Sequence, residues 1–198
     1  MRVTVPAVLL AFLAATTLCT TSASAAAKPF SERIVWIGLG GGGGLSGGEV
    51  AGVGYLNFTL GLRFFPVVPE FTLRQGVRGK ASAETHLGGV AAGARFLLPK
   101  LGPVRGNFRL AFAYQHEVQW DQFLGAPLKA LFGVDDGINH RSGVETGGGV
   151  EVKLGPKGIL GLWAQVTLMI FPLTDGPPVT TVAEGGLSIA LGPKLGGP

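Results

Sequence analysis

The stretch from Arg105 to Asp121, RGNFRLAFAYQHEVQWD, alternates without interruption. Arg105, Asn107, Arg109, Ala111, Ala113, Gln115, Glu117, Gln119 and Asp121 fall on one side, and Phe108, Leu110, Phe112, Tyr114, His116, Val118 and Trp120 on the other. Successive side chains on a strand point to opposite faces, so this is a strand with one polar and one apolar face. At about 3.3 Å per residue it outruns the ~17–20 Å of an ordinary globular strand and suits a tilted membrane crossing of ~9–11 residues plus rims.

The apolar face has to be covered by something, and composition says what. Only 14% of the residues are charged, against 46% hydrophobic and a mean hydropathy of +0.41. A soluble domain covers itself with roughly 25–35% charged residues, so a chain whose strands each keep a full apolar face is short of polar surface. Lipid removes that shortage. The body of the chain holds no apolar run of about 18 residues, so helical spanning is excluded and a closed barrel remains. The apolar rows then face lipid; the runner-up is a soluble barrel with those rows turned inward. The net charge of +4 is scattered rather than gathered in a basic stripe, which excludes nucleic acid as a partner.

The N-terminal residues Met1 to Ala25 read as an export signal: Arg2, an apolar core from Val5 to Leu18, then Ser22-Ala23-Ser24-Ala25-Ala26 with an A-x-A cleavage pattern. The barrel domain is residues 26–198. Cys19 falls inside the signal, so the exported chain carries no thiol, and Leu18 before it argues against a lipoprotein. Loss of Arg2 leaves 15 basic residues against 12 acidic, a net of +3.

Eight strands are expected. The first is Arg33 to Gly41, followed by a flexible Gly-rich connection from Gly41 to Gly48. Glycine-rich loops cradle phosphates when a helix follows, but another strand follows here. The second strand is Glu49 to Phe65, turning at Pro66 to Pro69. The third is Glu70 to Gly79, with a bulge expected near Gly76 because Gln75 interrupts its apolar row. A loop through Glu84 leads to the fourth, His86 to Leu98, and Pro99 to Pro103 makes a tight turn into the fifth, Arg105 to Asp121. The one long connection, Gln122 to Asn139, offers a short amphipathic helix at Phe123 to Phe132. Its Phe123, Leu124, Leu128, Leu131 and Phe132 would present an apolar face to a partner. The sixth to eighth strands are His140 to Leu154, Ile159 to Phe171 and Val179 to Leu191. An even count suits a single-chain bacterial barrel.

From Arg33 to Leu191 this pattern resembles the small eight-stranded outer-membrane β-barrel superfamily typified by the membrane domain of outer-membrane protein A. The most specific element is Glu184-Gly185-Gly186-Leu187-Ser188-Ile189-Ala190-Leu191, similar to the polar-x-Gly-x-x-apolar-x-apolar assembly signal of the last strand in such proteins. It departs from that signal in ending on Leu191 rather than an aromatic and in carrying a tail, Gly192 to Pro198. The resemblance implies an all-β, antiparallel, up-and-down transmembrane barrel in the Gram-negative outer membrane.

An eight-stranded barrel has a lumen that side chains fill. The inward set expected here is Arg63, Glu70, Arg74, Arg78, Arg95, Arg105, Arg109, Glu117, Arg141, Glu145, Glu151, Lys153 and Glu184. Their signs are mixed, and buried charges persist by pairing, so a salt-bridge network is expected rather than an ion path. His86, His116 and His140 fall at the outer ends of neighbouring strands on the lipid-facing side, and pairing about Leu101 would set His86 opposite His116. His140 and Ser142 share that face. An outward His-x-Ser after a long outer loop looks like part of the lipid A deacylase family, where His activates Ser for attack on an ester. Gly143 stands where that family has Asn, and Glu145 and Glu151 lie on the opposite face, leaving no orienting acid. The ordinary alternative places the histidines and Trp120 in the interfacial belt. The absence of a local H-x-H pair argues against zinc, and no cofactor is expected. The sequence therefore predicts a non-enzymatic structural or interaction component of the cell envelope, contacting outer-membrane lipid and envelope proteins, within a secretion, polysaccharide or motility machine. Lipid-ester hydrolysis and lateral transport of small hydrophobic molecules are the alternatives.

Overall fold

The computed structural model describes residues 32–47, 51–64, 66–80, 83–134, 137–155, 158–172 and 178–195. The expected export signal, Met1 to Ala25, lies outside them. The elements in order are β1 (Glu32–Ser46), β2 (Ala51–Leu62), β3 (Val67–Lys80), β4 (Ala83–Leu101), β5 (Val104–Gln119), α1 (Trp120–Gly125), α2 (Pro127–Phe132), β6 (Asn139–Leu154), β7 (Leu160–Ile170) and β8 (Val179–Leu195). Each strand pairs antiparallel with the next, and β8 returns to β1, closing the barrel. Closure leaves no unpaired sheet edge, which is what lets strands cross hydrocarbon.

The faces follow the period of two. Along β5 the odd positions from Arg105 to Glu117 are buried in the lumen, while Phe108, Leu110 and Phe112 face out at 38%, 51% and 78% exposure. The same outward row continues around the wall through Leu56, Phe71, Phe96, Leu162 and Leu187. So the apolar faces turn outward, against the runner-up reading of a soluble barrel with an apolar core.

Four local expectations are corrected. The glycine run is not a connection: β1 continues through Gly40 to Gly44 to Ser46. Its inward glycines are sites of close approach, since a Cβ on Gly40 would stand 2.5 Å from the Trp163 ring and one on Gly42 2.9 Å from Glu184 Cγ. Glycine here makes room for large lumen side chains from β7 and β8. Nor does β3 bulge near Gly76, because its pairing with both neighbours runs unbroken. Gly76 instead leaves space for the Tyr55 ring, 2.6 Å from where its Cβ would be. The irregularities lie elsewhere, between Leu97 and Lys100 in β4 and opposite Arg33–Val35 in β8. Each interrupted segment carries a proline, Pro99 or Pro193, which has no N–H for the ladder. The strand β4 therefore runs through the expected turn residue Pro99, and β8 passes Leu191 to end at Leu195.

The start of β1, the end of β8 and the turns that follow β4 and β6 share one rim. There Gly102 (φ 62°) turns β4 into β5, and Gly155 (φ 70°) leads from β6 toward β7. The longest connection, between β5 and β6, sits at the opposite rim, which is the outer one in membrane barrels with this arrangement.

Candidate functional site

The lumen is built by the inward positions of all eight strands, and the structure sorts its charges into linked groups. At the centre, Glu184 of β8 accepts from Arg74 Nε at 3.2 Å, and Arg74 reaches on to Glu145 of β6. Arg109 of β5 bridges Glu145 to Glu70 of β3, and Arg95 Nε donates to Glu70 at 2.7 Å. Arg95 ends the chain on Asn107 Oδ1 at 3.1 Å. Toward the outer rim, Glu117 holds Arg78 through both oxygens, at 2.9 and 2.7 Å, and Arg141 at 2.6 Å. Toward the terminal rim, Glu151 accepts from Arg63 at 2.7 Å.

Neutral groups that share the inward parity complete these clusters, and charge alone did not single them out. Trp36 Nε1 and Ser188 Oγ each donate to Glu151 at 3.0 Å. Gln165 donates to Glu184 at 2.6 Å, Thr72 accepts from Arg109 at 3.1 Å, and Tyr55 donates to Gln115 at 3.1 Å. Arg95 lies over the Trp36 ring at 4.8 Å and Arg141 over Phe171 at 4.4 Å. The remaining inward residues, Arg105 and Lys153, sit toward the terminal rim, Arg105 at 2% exposure beside Arg63, Arg95 and Glu151. Two small cavities between these groups each hold room for about one water, one beside Trp36 and Arg105 and one between Tyr55 and Phe171. All eight seams are hydrogen-bonded, so no lateral opening is present among the described residues.

The three histidines do lie on outward positions of the outer rim, but they are not three equivalent belt residues. His116 faces Gly88 across the β4–β5 seam, not His86, because the β4 bulge and the turn at Gly102 shift the register by two residues from a pairing about Leu101. Gly88 lets the imidazole lie flat on β4, since its Cβ would stand 2.2 Å from His116 Nε2. His86 and His116 are 6.4 Å apart, and only 5% and 4% exposed, although they point away from the lumen. What covers them is the β5–β6 connection. Phe123 of α1 stacks on His86 at 4.1 Å, Trp120 stacks on Phe123 at 5.3 Å, and the backbone of Ala130 and Leu131 lies against His116. Pro127 splits the expected single helix Phe123–Phe132 into α1 and α2, so the connection folds back on the wall as a hairpin. Phe123 thereby belongs to the docked side of the connection, not to its free face.

His140 is exposed, and its recorded hydrogen bond goes elsewhere than the nucleophile reading requires. The Tyr114 hydroxyl and His140 Nδ1 are 2.5 Å apart, with the rings 5.9 Å apart and nearly parallel. Tyr114, not singled out by the sequence reading, is the register partner of Ser142. Glu145 points into the lumen to hold Arg74 and Arg109, so β6 offers His140 no orienting carboxylate. Among the described residues no group of three or more His, Cys, Asp or Glu is placed to hold a metal. Replacement of Ser142 by Ala is expected to leave the acyl composition of the host's outer-membrane lipid unchanged. Lipid mass spectra from cells with the intact protein and the variant check this, and loss of a deacylated species only in the variant would reverse it.

An ion-paired lumen inside a closed wall with apolar outward rows is the architecture of the small eight-stranded β-barrels. Solved structures of that class superpose on the chain. Neisserial surface protein A aligns with a TM-score of 0.64 at 13% identity, over 79% of this chain and 97% of that one. The N-terminal barrel domain of Pseudomonas aeruginosa OprF aligns at 0.53 and 14% identity, over 81% and 98%. Ail, the attachment invasion locus protein of Yersinia pestis, solved with the heparin analogue sucrose octasulfate, aligns at 0.51 and 10%, over 83% and 99%. At these identities the likeness is one of fold. No protein-family model and no curated protein matches the chain.

Proposed function

We propose that this chain is exported by its N-terminal signal and acts in the outer membrane as a non-conducting structural or interaction component of the cell envelope. The observation that carries this reading is the inversion of ordinary protein chemistry. The ionised groups are inside and paired, and the large apolar side chains are outside. Such a molecule is at home in lipid, and with its interior filled it acts through its surface rather than by passing solutes. Its role is then to occupy a place in the outer membrane and to contact neighbouring lipid and envelope proteins.

The test combines two measurements on detergent-extracted membrane protein. Heat-dependent gel mobility and, in planar bilayers, the absence of stepwise conductance are expected. Recovery as a soluble periplasmic monomer would overturn the location, and discrete channel openings would overturn the non-conducting role.

A further inference from the structure

The hairpin of α1 and α2 has two sides. Its inner side is docked, with Phe123 on His86 and Ala130 fully buried. Its outer side presents Leu124, Leu128, Phe132 and Val134 at 62%, 72%, 71% and 70% exposure. A helical hairpin on a water-facing rim would turn polar side chains outward, whereas this one turns out four large apolar groups. It lies on the outside of the wall rather than over the lumen mouth, because the residues it touches, His86 and His116, are outward positions of β4 and β5. The next outward positions along those strands are Tyr114 and Val90, followed by Phe112 at 78% exposure. The exposed side of the hairpin is thus continuous with the apolar wall. Asp121 and Lys129 stand exposed on the same hairpin, as groups that would meet lipid headgroups.

We propose that the β5–β6 hairpin is a lipid-seated element. Leu124, Leu128, Phe132 and Val134 insert among acyl chains at the outer membrane boundary, and the histidine pair beneath them is sealed from water by the seated hairpin. Amphipathic helices lying in this plane bury their apolar side ~5–10 Å into the headgroup and acyl boundary. The inference rests on the outer-membrane reading above, which says what surrounds the wall. It adds that the longest described connection is part of the membrane surface rather than a free loop awaiting a protein.

Spin labels separate the two statements. Single cysteines are placed at Leu128, Phe132, Phe112 and Asp121 in a Cys19→Ser chain, labelled, and the full-length protein is reconstituted in phosphatidylcholine–phosphatidylglycerol vesicles. Folded samples are selected by their heat-dependent mobility. Collision with oxygen should exceed collision with a water-soluble nickel complex at 128 and 132, as at the wall position 112, with the order reversed at 121. If 112 reads lipid while 128 and 132 read water, the hairpin is a free surface and the proposal fails. Low collision with both reagents at 128 and 132 would also overturn it, because protein would then cover the hairpin. If 112 itself reads water, the failure belongs to the outer-membrane reading.

Discussion

Removal of the Glu145 carboxylate, as Glu145→Ala, is expected to destabilise the barrel by about 3–5 kcal/mol or to prevent its assembly. The carboxylate stands between two guanidinium groups, Arg74 from β3 and Arg109 from β5, and the three side chains are 3%, 6% and 1% exposed. Deleting it leaves Arg74 on Glu184 and makes Arg109 share Glu70 with Arg95, so three cations rest on two carboxylates with the low-dielectric interior around them. The cost is that of stranding buried charge, which exceeds the net worth of the pairs. Arg78→Ala should cost less, since Arg78 is 17% exposed and Arg141 still holds Glu117 after it is gone. Urea unfolding in lipid vesicles measures both. A loss below about 1 kcal/mol for Glu145→Ala, the size of an exposed pair, would mean that water screens the lumen and that the network is not its main support.

An arginine at Leu110 should cost about 2–4 kcal/mol, the penalty for a cation on the lipid face near mid-membrane. Leu110 sits near the middle of β5, faces outward at 51% exposure, and is flanked in the ladder by Ala94 and Thr146. Nothing beside it on the wall is an acid that could meet the charge. The neighbouring change Ala111→Ser adds a hydroxyl to the polar lumen, where Ala111 is 4% exposed, and should be mild. The same unfolding measurement distinguishes them, and equal effects would mean that the two faces are assigned wrongly.

The period-two alternation of Arg105 to Glu117, and of the other strands with it, determined by itself which residues face the lumen, how many strands there are and that the outer wall is apolar. That follows because side-chain direction on a strand is a local property of the backbone, and the balance of apolar and charged residues is a property of composition. Partner choice inside the lumen is not local. Parity puts Arg63 and Glu151 inside, but only the stagger of the closed barrel brings residues 88 apart in sequence within 2.7 Å. The glycines of β1 illustrate the same limit, since glycine in isolation signals a loop. Here the close packing of Trp163 and Glu184, from strands at the other end of the chain, keeps Gly40 and Gly42 small within a strand. Alternation likewise placed His86 and His116 on the outward face without disclosing that they would be buried. That was decided when Pro127 broke the connection and folded its two helices back against the wall, a contact between segments whose local patterns carry no mark of each other.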